Sequence, residues 1–269
     1  MRMAAKIWKD LGNARSHGIS RGEETITENF LLDVQLAHPA EVSTFQSNKR
    51  EEAVTGADWE WWLTDGRQWL GLLIQAKILN PRSNLYSAIK HKVAGRPQID
   101  NLINQAALKG IPAFYFFYNH TNLGFSDLSW KCGSFAPQIE QLGCTVADAH
   151  AVRPLVRQGG VGIITLDPVT LPLRCLVCCR GHARGPEFSL PERASGIARE
   201  LISRGDQSID VGRPTSLRDA PPSYVRELMS ASPDERPRVI ERLRSEVGRI
   251  GSLVVIKQAH EMRDDARGR

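Results

Sequence analysis

Four side chains have the types and spacing to handle a phosphate ester together: Glu24, Asp58, Gln75 and Lys77. Phosphodiester hydrolysis needs a divalent cation to neutralise charge and to lower the pKa of an attacking water. Mg2+ prefers oxygen donors and usually takes only one or two carboxylates from a protein, and Mn2+ suits the same donors. Asp58 supplies one such carboxylate. Gln75 and Lys77 stand two residues apart, so on a strand they face the same side. The amide oxygen of Gln75 and the main-chain carbonyl of Ala76 could complete the inner shell around Mg2+. Lys77 could then orient the water and stabilise developing negative charge.

A β-hairpin is the element that must position them. Trp59, Trp61 and Leu63 alternate with Glu60, Trp62 and Thr64, the pattern of a half-buried strand. Thr64-Asp65-Gly66-Arg67 reads as a turn, and Trp69 to Lys77 as a more deeply buried strand. Such a hairpin brings Asp58 beside Gln75 and Lys77. Upstream, residues 20–36 place Ile26, Phe30, Leu31 and Val34 at helical spacing, ending at His38-Pro39. The acids Glu23, Glu24 and Glu28 in this helix also suit its N-terminal dipole. Glu24 and Glu28 share a face, which selects Glu24.

Further along, residues 84–93 read as a short helix. Residues 98–109 read as an amphipathic helix opened by Pro97 and closed by Gly110, and residues 113–119 as a buried strand. A helix over 145–157 and strands over 161–166 and 173–179 follow. This order makes a mixed α/β layer architecture. The Gly-rich, charged stretch 180–189 divides the chain into a core domain, 1–189, and a helical C-terminal region, 190–269. The final RDDARGR is expected to fray.

GADWEWW followed by LLIQAK resembles the G-x-D … (D/E/Q)-x-K core of the PD-(D/E)xK, or restriction-endonuclease-like, nuclease superfamily, in particular its Mrr-like branch, where Q-x-K occurs. The resemblance covers roughly residues 20–120. The chain is also similar to a bacterial family that carries the same GEETIT, TGADWEWW and QAK blocks and has no assigned substrate. The resemblance implies a restriction-endonuclease-like mixed sheet flanked by helices. It also implies Mg2+-dependent cleavage of DNA and a role in defence against foreign DNA. In such nucleases a Glu on the helix before the hairpin is typical, and Glu24 in GEETIT fits it; Gln98 loosely fits a Gln on the following helix. Gln75 stands where an acid is commoner, so a catalytically inactive nuclease fold that binds nucleic acid or assembles a complex remains the alternative.

Other features are weaker signals. The tryptophans of the hairpin follow strand periodicity and read as core in preference to a base-stacking surface. Cys175, Cys178, Cys179 and His182 have residue types that suit zinc, but a buried strand explains LRCLVCC better. Neither G-x-G-x-x-G nor G-x4-G-K-[ST] occurs, so a phosphate loop of those kinds is excluded. The net charge of +5 suits a polyanionic partner without requiring one. The arginines between Arg236 and Arg249 would either contact phosphates or pair with nearby glutamates, and the C-terminal helices could also mediate homo-oligomers or hold a partner protein. The sequence shows no secretory signal and no membrane-spanning apolar run, and it has five cysteines, three of them crowded together. It therefore reads as a reduced, cytoplasmic protein.

Overall fold

The computed structural model describes residues 2–46, 57–93, 95–124, 127–129, 132, 136–178, 188–205, 214–247 and 252–258. Its axis is the expected hairpin. Strands β2 (Trp59–Thr64) and β3 (Trp69–Ile78) pair antiparallel, with Trp59 opposite Ile74 and Thr64 opposite Trp69. Gly71 lies opposite Trp62, and a Cβ there would come within 2.7 Å of the indole and 2.8 Å of Ile111. The missing side chain is what lets the Trp62 ring lie across the neighbouring strand.

The other strands are β1 (Val42–Gln46), β4 (Lys92–Val93), β5 (Arg96–Pro97), β6 (Ala113–Tyr118), β7 (Cys144–Asp148), β8 (Thr170–Pro172) and β9 (Ser252–Lys257). Among the described residues they form a mixed seven-stranded sheet, ordered β1-β9-β2-β3-β6-β7-β8, and a separate two-stranded β4-β5 hairpin. The β2–β9 and β3–β6 pairs are parallel, and the other pairs in the large sheet are antiparallel.

Helices cover both faces. One face packs against α1 (Arg2–Ser16), α2 (Glu23–Ala37), α6 (Leu173–Val177) and α7 (Leu190–Ser203), around Phe30, Trp59, Trp61 and Phe116. The other packs against α3 (Gln98–Lys109), α4 (Ala149–Gln158), α5 (Ile163–Leu166), α8 (Ser223–Ser230) and α9 (Arg236–Val247), around Trp62, Tyr115 and Phe117. Strand β2 is therefore buried along its whole length, not half-buried as its alternation suggests. Phe30 stacks on Trp59 and Trp61, and Phe116 meets both edge-on. Truncating a ring in such a cluster costs about 3–5 kcal/mol. Helix α3 buries Ile99, Leu102, Ile103 and Ala106 as one stripe and stops at Gly110, whose φ of 62° is left-handed.

Several sequence expectations need correction. The stretches 161–166 and 173–179, expected as strands, contain α5 and α6, because a short apolar run has no period that separates strand from helix. Cys175 is buried in α6 and Cys178 is exposed, while Cys179 and His182 lie outside the described residues. The helix expected over 145–157 begins only at Ala149, after β7, with the Asp148 carboxylate accepting from the Ala151 N–H as its cap. The short helix expected at 84–93 is a 3-10 turn, Ser87–Lys90, followed by β4.

The largest correction concerns 190–269, which is not a helical appendage. Helices α7, α8 and α9 are present, but SLVVIK is strand β9, inserted between β1 and β2. Helix α7 buries Ala194, Ile197, Ala198 and Leu201 completely in the same core as the hairpin. The tail RDDARGR lies outside the described residues. Among the described residues, no helix is long and apolar enough to cross a membrane.

Candidate active site

The ladder between β2 and β3 ends at Trp59 and Ile74, where the Asp58 N–H donates to the Ile74 carbonyl at 2.9 Å. Two residues further along β3, Ala76 turns its backbone groups to the same edge, where β2 has already ended. Side chains fill that gap. The Ala76 N–H donates to Asp58 Oδ2 at 2.7 Å, and the Gln75 amide donates to the same oxygen at 2.5 Å and to the Ala76 carbonyl at 3.2 Å. Asp58 thus lies on the same face as Gln75 and Lys77. The three line one cleft of about 350 Å³ with Glu23, Glu24 and Glu28.

The first turn of α2 delivers the acids. Residues 23, 24, 27 and 28 of the helix all reach the cleft, following i, i+4 geometry. Glu23 is the one that pairs with Lys77, at 3.2 Å. Glu24, the expected residue, lines the same cleft near Asp58. The Lys77 side chain is 4% exposed and that of Glu23 24%.

Burial dominates the electrostatics. It raises the Asp58 carboxyl above its ordinary range, against the pull of the Lys77 ammonium and of the Ala76 and Gln75 donors, while Glu24 adds to the rise. Burial also pushes Glu23 up to about 7; Lys77 opposes the shift and Asp58 reinforces it. Asp58 and Glu23 therefore share the buried Lys77 ammonium, and their site can accept further positive charge.

The donor chemistry suits Mg2+ or Mn2+. Gln75 Oε1 is buried with no hydrogen-bond partner, an oxygen donor left over after its NH2 group is satisfied. The Gln75 NH2 group faces Asp58 and the Ala76 carbonyl; with the amide turned over, Oε1 would join them in a set of one carboxylate and two neutral oxygens, within what Mg2+ usually takes. No group of three or more His, Cys, Asp or Glu side chains able to hold a metal occurs among the described residues.

The cleft also holds Gln46, His91, Gln98 and Ser252. Gln98 stands out in the sequence only through the resemblance; Gln46, His91 and Ser252 carry no motif that would have found them. Tyr115, in register with Gln75, has a buried hydroxyl without a partner. Of the C-terminal arginines, Arg242 pairs with Glu227 and Arg236 stacks over Phe45. The side chains of Arg244 and Glu246, and all of Arg249, lie outside what is described.

No curated protein matches the chain. A family model does match, over residues 1–261, and its span crosses the expected boundary at 189/190. The chain belongs to that family, described as a family of unknown function, DUF6615.

Proposed function

We propose that this protein is a divalent-metal-dependent nuclease that cleaves phosphodiester bonds in DNA, on a sheet of the restriction-endonuclease-like kind. The observation that carries this reading is the convergence of Asp58, Gln75 and Lys77 where β2 ends, with Gln75 Oε1 left unpartnered. Asp58, Gln75 Oε1 and the Ala76 carbonyl would hold the cation. When bound, it supplies charge neutralisation and a water of lowered pKa. Lys77, held by Glu23, places an ammonium in the same cleft, where it can stabilise negative charge developing on the phosphate. Glu23, poised near neutrality, can take or release a proton there. Defence against foreign DNA is the setting this reading implies.

A second reading is a nuclease-fold protein that binds nucleic acid without cutting it. It draws on the neutral Gln75 and on the absence of a three-carboxylate metal cluster among the described residues. One assay separates the two: closed-circular plasmid and linear DNA incubated with the full chain in Mg2+, Mn2+ or EDTA. Metal-dependent cleavage supports the nuclease. Binding without cleavage in any of the three supports the second reading.

A further inference from the structure

The chain running into α3 forms a raised edge beside the cleft. It consists of the turn Ser87–Lys90, His91 and the β4–β5 hairpin. Ile89, buried at 2% exposure, anchors it, and the Gln98 N–H donates to the His91 carbonyl at 2.9 Å, closing its base. Lys90, His91, Lys92 and Arg96 are all exposed on this edge. His91 and Val93 line the cleft itself. Arg96 pairs in register with Val93 and so emerges on the same side of the ribbon, whereas Lys92, opposite Pro97, emerges on the other.

These cations differ from others nearby. Lys77, Lys109, Arg153 and Arg218 are each tied to a carboxylate or to backbone carbonyls. Among the described residues Lys90, Lys92 and Arg96 have no such partner. Positive charge left unpaired on a short, anchored ribbon contributes little to the fold, and it stands next to a cleft rich in carboxylates. A polyanion lying along this edge satisfies those cations, and the carboxylates of the cleft, which repel its phosphates, are left to a divalent cation. DNA presents about one negative charge per 1.7 Å of duplex axis, which suits a short row of cations. Among the described residues that line the cleft, Trp59 is 0% exposed, so no Trp, Tyr or Phe ring there is open to base stacking.

We propose that this edge is a phosphate-holding lip: Lys90, Lys92 and Arg96, set on both sides of the ribbon, grip the sugar–phosphate backbone of DNA where it crosses the edge of the cleft, without reading base sequence. The proposal rests on the nuclease reading for its substrate, but its test does not require cleavage. Binding of a labelled mixed-sequence duplex is measured by anisotropy in EDTA over a range of salt. The full chain is compared with a Lys90→Ala/Lys92→Ala/Arg96→Ala variant and with a charge-matched control, Arg67→Ala/Arg199→Ala/Arg226→Ala, at exposed positions elsewhere.

The lip variant is expected to bind about tenfold or more weakly, with a log–log salt slope shallower by about 2–3, at about 0.9 for each phosphate no longer neutralised. The control should stay near wild type, and a second duplex of different sequence should give the same result. The proposal is overturned if the wild type does not bind, if both triple variants lose affinity equally, or if neither does. A chain that binds through the lip but cuts nothing in Mg2+ or Mn2+ would retain the lip and sink the nuclease. A lip variant that cuts with unchanged KM would do the reverse.

Discussion

Asp58 and Glu60 lie two residues apart, point to the same face of the sheet and carry the same charge, yet the fold treats them in opposite ways. Glu60 is fully buried and matched: Lys109 pairs with it at 3.0 Å, the Trp62 indole donates at 2.6 Å, and the Tyr224 hydroxyl donates to it as well. Those partners come from β2, α3 and α8, so Glu60 ties the hairpin to the helices above it. Asp58 receives one backbone N–H and one neutral amide. It shares its single ammonium with Glu23 and has Glu24 close by. A buried carboxylate whose charge is balanced by its own chain serves the fold. One left short of positive charge at the wall of an open cleft is suited to binding a cation that arrives from outside.

Breaking each carboxylate should therefore damage different properties. Asp58→Ala and Lys77→Ala are expected to lower the cleavage rate by about 10³-fold or more; Asp58→Ala should leave the thermal midpoint near wild type, whereas Lys77→Ala, which breaks the buried pair with Glu23, should also lower it. Plasmid nicking time courses alongside melting curves check this, and wild-type rates in both variants would remove the site assignment. Glu60→Ala should do the opposite. It leaves the buried Trp62 indole and the half-buried Lys109 and Tyr224 without their acceptor and should cost about 3–5 kcal/mol in urea unfolding. Below its unfolding transition the variant should still cut DNA, since none of the Glu60 network lines the cleft.

A smaller effect is expected from Glu23, through pH. Its carboxyl rises from 4.5 to about 7 on folding, so the folded chain holds that proton more tightly than the unfolded chain does. The resulting stabilisation is complete below the unfolded value and is lost as pH rises through the folded value. The thermal midpoint in EDTA should thus fall between about pH 5 and 8, with Asp58 contributing in the same direction. Glu23→Gln should make that slope shallower, because the amide imitates the protonated acid. An unchanged slope would mean that another group titrates.

Local periodicity made much of this legible in the sequence. The hairpin, α2, α3 and β6 follow from alternation and 3.6-residue spacing, and the two-residue interval between Gln75 and Lys77 puts them on one face. Strand β9 does not follow, because Ser252–Lys257 comes directly after a helical pattern and becomes a strand only between β1 and β2. The choice of Glu23 over Glu24 as partner to Lys77 depends on how α2 is rotated against the sheet, which spacing within one helix does not fix. The edge beside the cleft stays hidden because residues 84–93 read as a short helix, and only the fold brings that segment beside Asp58.

Manganese binding to the metal-free full chain, followed by electron paramagnetic resonance, tests the central claim most directly. The account predicts saturable binding of Mn2+ by the wild type, loss of that binding in Asp58→Asn, and affinity equal to or tighter than wild type in Gln75→Glu, where a second carboxylate replaces a neutral donor. Wild-type Mn2+ affinity in Asp58→Asn, or no binding by the wild type at all, would contradict it.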